Sequence, residues 1–271
     1  NTRLTGGKMA FSPQSNTALL NKSAALAVAL LLIAGCAQKV GTGASSDAKP
    51  AVAKVAADLV PLATLAPGVK QDMRYVTKHN FMGRPIAGYE AGVCWLSRPA
   101  AESLAGVQKE LSSNGLALKV FDCYRPQAAV DDFVRWGRDM SDQLNKDMYY
   151  PRVPKSELFK RGYIAEKSGH SRASTVDMTL QVIDAKRASK LVRGPLANGI
   201  EVDMGTPFDM FDEQSHTDNA KQSPDVQHNR RWLRTLMQRN GWKNLPEEWW
   251  HYTLVSEPYP AQYFNVPVRS N

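Results

Sequence analysis

Two segments far apart in the chain carry the residue types that a hydrolytic metal centre needs. In "SGHSRASTVDMTL" (168–180), His170 sits in a loop of small residues, seven positions ahead of Asp177, where a strand-like run begins. In "NLPEEWWHYTL" (244–254), His251 follows two tryptophans and a pair of carboxylates. A catalytic zinc takes three protein ligands, commonly imidazole nitrogens and a carboxylate oxygen, and keeps a fourth position open. A loop histidine and an aspartate at a strand start can meet at one point, and His251 can join them from a neighbouring strand. Glu248 then supplies the general base such a centre uses. Each signal is weak alone. The His-to-Asp spacing arises by chance, and His251 by itself reads better as a core residue of a half-buried strand, Trp249 to Leu254. Of the other histidines, His79 and His216 lie in polar, turn-rich stretches without an obvious partner. His228 falls in a polar helical run and reads as a surface residue.

The elements that must hold these residues can be read from pattern. "SRPAAESLAGVQKELSSNG" predicts a helix capped by Ser97, with Pro99 in its first turn, Leu104, Val107 and Leu111 on one face, and Asn114-Gly115 as its stop. "LALKVFDCY" alternates and is rich in strand formers, so Leu116 to Tyr124 predicts a strand. Pro126 opens a second helix through "QAAVDDFVRWGRDM", and "VDMTLQVID" predicts a strand around Asp177. "SPDVQHNRRWLRTLMQRNGW" predicts the clearest helix, with Ser223 as cap, Gly241 as stop and Leu233, Leu236 and Met237 on its buried face. Strands and helices mix without regular βαβ alternation, which predicts an α+β fold.

Composition and the N-terminus bound the setting. The 271 residues are 43% hydrophobic, enough for one sizeable core. The net charge of +8 is uneven, because Arg3, Lys8 and Lys22 precede residue 36 with no acid among them, which leaves +5 for the remainder. No nucleic-acid motif accompanies that modest excess, so nucleic acid is not expected as a partner. The apolar run "AALAVALLLIA" (24–34) is too short to span a bilayer and ends in "LIAGC", small residues directly before Cys36. This is similar to the lipobox of bacterial lipoproteins, which implies removal of the preceding residues and a lipid on Cys36. The alternative is an ordinary secretory signal with an incidental cysteine. Residues 1–36 are thus expected to be a signal segment and 37–58, rich in Ala, Gly, Ser and Lys, a flexible tether. A single folded domain is expected over 59–271. Ala37, rather than an aspartate, follows Cys36, which in a Gram-negative host suits an outer-membrane anchor facing the periplasm. Outside the cytoplasm an isolated cysteine pair often bridges, so Cys94 and Cys123 are candidates for a disulfide.

Together "SGHSRASTVDMTL", "FDCYRPQAAVDDF" (121–133), "MGTPFDMFDEQSH" (204–216) and "EEWWHYTLVSEPYP" (247–260) resemble the zinc D-alanyl-D-alanine dipeptidases, the VanX-type branch of the D,D-peptidases. The likeness runs from about Leu59 to Val268. It implies one compact α+β domain with a central antiparallel sheet flanked by helices, and one Zn2+ per chain. It further implies His170, Asp177 and His251 as metal ligands, Glu248 rather than Glu247 as the catalytic carboxylate, and Arg125 beside the scissile carbonyl. Asp209, Ser168 and Tyr75 correspond to residues that hold the dipeptide, with Asp209 taking its free amino group. The family loop reads S-x-H-x-x-G-x-A-x-D, whereas this chain has Ala173 for the glycine and Thr175 for the alanine. Ala173 is costly if that position needs a positive φ.

Three functions fit these residues. The first is a lipid-anchored D-Ala-D-Ala dipeptidase working in the cell envelope, for wall-peptide turnover or D-alanine recovery. The second is a zinc D,D- or L,D-carboxypeptidase that trims wall peptides and needs no amine pocket. The third is a non-catalytic wall-binding lipoprotein. Asp209 and Tyr75 favour the first over the second, and Glu248 opposes the third.

Overall fold

In the computed structural model the described residues are 58–270. The expected signal segment, Cys36 and the expected tether up to residue 57 lie outside them. A five-stranded sheet runs through the domain. Its strands are β2 (Lys70–Gln71), β4 (Leu116–Asp122), β5 (Thr175–Val182), β7 (His251–Leu254) and β6 (Trp242–Asn244), in that spatial order. A separate pair joins β1 (Leu59–Pro61) to β3 (Trp95–Ser97). Every pairing in the large sheet is antiparallel except the two-residue edge strand β2, which runs parallel to β4. With three long helices, α1 (Arg98–Ser113), α2 (Gln127–Arg138) and α3 (Pro224–Arg239), this is the expected α+β architecture.

The helices form where their apolar residues can be covered. Leu104, Val107 and Leu111 of α1 are fully buried, as are Leu233, Leu236 and Met237 of α3. Burying a leucine side chain is worth roughly 1.5–3 kcal/mol, so these faces fix both helices against the sheet. Ser103 links the two, accepting from Trp242 Nε1 (2.8 Å) and donating to the Asn240 carbonyl (2.9 Å). Ser223 caps α3 by accepting from the Val226 amide (3.2 Å), and Gly241 ends it at φ 85°. Helix α2 is packed through an aromatic cluster in which Phe133 meets Tyr75 and Phe81 edge-on.

Several expectations need correction. Ser97 occupies the cap position of α1, but its hydroxyl pairs with Ser174 Oγ (2.9 Å) and caps nothing. The strand expected to reach Tyr124 ends at Asp122, because the ladder slips between Val120 and Asp122. Cys123 and Tyr124 leave the sheet, and the Tyr124 amide turns to the Trp95 carbonyl (2.9 Å). The strand expected from Trp249 begins only at His251. Both tryptophans precede it in a turn, yet both are buried. His228 is half-buried, with Nε2 2.9 Å from the Leu191 carbonyl.

Candidate active site

The loop bearing His170 is built to aim one ring. Ser168 Oγ accepts from the His170 amide (3.2 Å) and starts a single helical turn, Gly169–Arg172. Ala173 then takes φ 59°, ψ 24°, a left-handed corner that returns the chain into β5. The residue that replaces the family glycine therefore sits where a Cβ costs roughly 1–2 kcal/mol. The corner stands because the surroundings hold it: the Ala173 amide donates to the His170 carbonyl (3.0 Å), and its carbonyl accepts from the Ser97 amide (2.7 Å). The His170 ring places Nδ1 2.7 Å from the Cys123 carbonyl. That contact needs a proton on Nδ1 and leaves the Nε2 lone pair free toward the cleft.

Asp177 and His251 are directly opposed across β5 and β7, so the pleat sends both side chains to one face. Asp177 Oδ1 lies 3.2 Å from His170 Nε2 and 3.1 Å from His251 Nδ1, and those two nitrogens are 3.4 Å apart. The ligand atoms of all three residues fall within 4.8 Å of one another. Buried Asp177 Oδ1 has no aligned hydrogen-bond partner. Two nitrogen donors and one oxygen donor converging on a point, one of them an orphaned buried carboxylate oxygen, suit a zinc ion with an open position. The electrostatics agree. Burial alone would raise the Asp177 carboxyl, but His170 and His251 hold it far below the usual carboxylate range. Burial alone would lower His251, yet Asp177 and Glu248 bring it up to about 9. Carboxylates that favour a proton there also favour a metal cation.

The remaining groups surround this cluster. Glu248 Oε2 is 3.3 Å from His251 Nδ1 and faces the cleft. Glu247 is not among the cleft residues. Arg125 donates from Nε to Asp122 Oδ2 (2.9 Å), and its Nη2 lies 3.6 Å from Asp177 Oδ2. Its guanidinium packs over the adjacent rings of Tyr75 and Phe133, 5.3 and 5.0 Å from their centroids. Asp209, 4% exposed, accepts from the Tyr75 hydroxyl at Oδ2 (2.8 Å). Burial first, then the charge of Asp177, pushes its carboxyl well above the ordinary value. Asp209 also holds φ 63°, so two of the site's non-glycine residues sit in a costly backbone region. The cleft these residues line is about 190 Å³. That is below the roughly 300–1,000 Å³ of pockets taking drug-sized ligands, and suits a small substrate.

The structure thus brings together Tyr75, Arg125, Ser168, His170, Asp177, Asp209, Glu248 and His251. Sequence reasoning passed over Asp122, which is fully buried and accepts from both Arg125 and the Tyr89 hydroxyl (2.6 Å). Its signal was present as the D-x-x-R spacing inside "FDCYRP". Tyr163, which lines the cleft and reaches His216 Nε2 (3.4 Å), had no such signal.

A largely buried His/Asp/His centre, built from one rung between two strands and one loop histidine, with a carboxylate and a guanidinium facing it, has the make-up of a metallopeptidase site. The family model described as D-ala-D-ala dipeptidase matches residues 55–269, and the chain belongs to that family of zinc metallopeptidases. It is 39% identical to a D-alanyl-D-alanine dipeptidase of Enterococcus faecalis over 201 residues, 74% of this chain and 93% of the relative. Similar matches are found to dipeptidases of the same description from Enterococcus faecium (38%, 74% and 94% covered) and Streptomyces coelicolor (39%, 75% and 95% covered).

Proposed function

We propose that this protein hydrolyses D-Ala-D-Ala to two D-alanines from a lipid-anchored position in the cell envelope. Family membership and the three dipeptidase relatives support the reaction. The single observation that carries it is the buried Asp209–Tyr75 pair facing the same cleft as the metal cluster. A carboxylate there matches a substrate ammonium, and a carboxypeptidase acting on long wall peptides would have no use for it.

His170, Asp177 and His251 would hold the zinc, which would supply Lewis acidity toward the attacking water and the scissile carbonyl. Glu248 takes the proton of the attacking water and returns it to the departing amine. Arg125, held by Asp122 and packed against two adjacent rings, presents fixed charge to the developing oxyanion, so little reorganisation is needed during reaction. Asp209 orients the substrate by its free amine, and Ser168 adds a hydroxyl beside Arg125 Nη1 (3.5 Å). Free D-Ala-D-Ala assayed against its N-acetyl derivative tests this reading. The free dipeptide should be cleaved and the blocked one spared; equal rates on both would overturn the amine-pocket assignment.

The envelope location rests on "LLLIAGC" and on Ala37. In that compartment the substrate is dipeptide released from wall material or taken in, with D-alanine recovered. The full-length chain should partition with the outer membrane, and Cys36→Ala should lose the lipid. A cytosolic full-length protein would refute the placement while leaving the chemistry standing.

A further inference from the structure

The mechanism assigns no part to Cys94 and Cys123, which are joined in a disulfide with a Cα–Cα separation of 5.3 Å. Both are 0% exposed. The carbonyl that accepts the hydrogen bond from His170 Nδ1 is that of Cys123. This carbonyl lies one residue beyond the last rung of β4, the pair Asp122–Asp177, so the ladder does not hold it. Its placement depends on the Tyr124 amide, bonded to the Trp95 carbonyl, and on the bridge to Cys94. Cys94 is firmly seated: its amide donates to Gln71 Oε1 (2.8 Å) and its carbonyl accepts from the Leu62 amide (2.8 Å). The Arg125 amide also reaches the His170 carbonyl (3.3 Å), so the segment just past the bridge and the ligand loop are tied together.

We propose that the Cys94–Cys123 bridge is a positioning device for the metal ligand His170. It fixes the carbonyl that selects the ring's tautomer and orientation, and thereby sets zinc affinity. The inference rests on the zinc reading of the site. Because both sulfurs are buried, dissolved thiols have no direct approach to them. The bridge is a permanent strut and not a redox switch, and it must be formed before the metal site is complete. Outer groups that orient a metal-binding histidine typically contribute 10–100-fold in metal affinity.

The test measures zinc affinity by competition with a chelating indicator. It compares the oxidised protein, Cys94→Ala/Cys123→Ala, and the control Leu111→Ala, which removes a buried side chain of α1 with no role in the site. The double variant should bind zinc roughly 10–100-fold more weakly. Leu111→Ala should lower the melting temperature with zinc affinity changed less than about threefold. Imidazole NMR gives a second readout: the slowly exchanging Nδ1 proton of His170 should be present in the oxidised protein and lost in the double variant. Unchanged affinity in a folded double variant would overturn the inference. So would a double variant that cannot fold while Leu111→Ala can, because the bridge would then be a general staple. If the oxidised protein bound no zinc, the zinc reading itself would fall, a result distinct from either.

Discussion

Arg230 is the residue whose loss should reach furthest from its own position. It projects from α3, is 1% exposed, and among the described residues its side chain bonds no carboxylate. Burial lowers its guanidinium to about 10, so it stays charged at neutral pH. Its donors go to backbone carbonyls instead: Met204 from Nε (2.8 Å) and Nη2 (2.5 Å), and Gln214 (2.9 Å) and His216 (2.8 Å) from Nη1. These carbonyls bracket the loop carrying Asp209. Arg230→Met keeps the apolar stem but leaves the Met204 carbonyl without a donor and takes one donor each from the Gln214 and His216 carbonyls, which keep Gln222 Nε2 (3.0 Å) and the Asn219 amide (3.1 Å). The stranded acceptor costs about 1–3 kcal/mol and the two weakened ones add to it, partly offset by no longer burying a charge, for a net loss of about 2 kcal/mol. At roughly 2–4 °C per kcal/mol for a domain of this size, the melting temperature should fall by about 4–8 °C. The slackened loop should raise KM for D-Ala-D-Ala more than it lowers kcat, since Arg230 touches neither the metal ligands nor Glu248. Arg230→Lys should recover little, because one ammonium cannot span the Met204 and His216 carbonyls. Thermal unfolding and steady-state kinetics together decide the matter. A melting temperature within 2 °C of the parent (roughly 1 kcal/mol or less), with KM unchanged, would refute the reasoning.

Glu248→Gln should keep one zinc per chain but lose roughly 10²–10⁴ in kcat, whereas Glu247→Gln should be mild; reversed effects would misplace the base by one residue. Asp177→Asn should lower the zinc found by metal analysis well below one per chain, and a chelator should abolish hydrolysis by the parent. For the metal-free protein, His251 has a folded pKa of about 9 against 6.5 for the free group. Its contribution to stability is therefore fully present below about pH 6.5 and lost as pH rises through about 9. Melting temperatures taken in chelator should decline across that window, and His251→Gln should flatten the decline. The same proton competes with the metal, so zinc affinity should rise with pH up to about 9; a flat profile would contradict the ion-pair account.

How much was legible depended on how far apart the cooperating residues stood. His170 and Asp177 share one short motif, and the helices announced themselves through Pro99, Ser223, Gly241 and their apolar faces. The meeting of Asp177 with His251 was harder to read, because it depends on how two strands more than seventy positions apart are registered. Periodicity gives the face of a strand and says nothing of its partner. Asp122 was missed for a related reason: the D-x-x-R spacing hinted at its pairing with Arg125, but the slip in the ladder between Val120 and Asp122 is not written in the pattern. Ser97 misled because a serine before a proline-opened helix reads as a cap, while the actual partner, Ser174, is a tertiary neighbour. Ala173 was legible as a departure from the family loop, and its cost became concrete only with φ at 59°.

The rung that joins Asp177 to His251 has a consequence for which ions this centre admits. Two of three ligands ride on one pair of hydrogen-bonded strands and move as a single jaw. The other jaw is His170, on a loop shaped by one left-handed corner and one carbonyl. The aperture between the jaws is therefore adjusted almost wholly from the loop side. A larger cation would have to push His170 outward against its anchor, since the sheet will not yield. Discrimination among metals of different radius should thus be retuned by changes between Ser168 and Ser174, with the two strands left untouched.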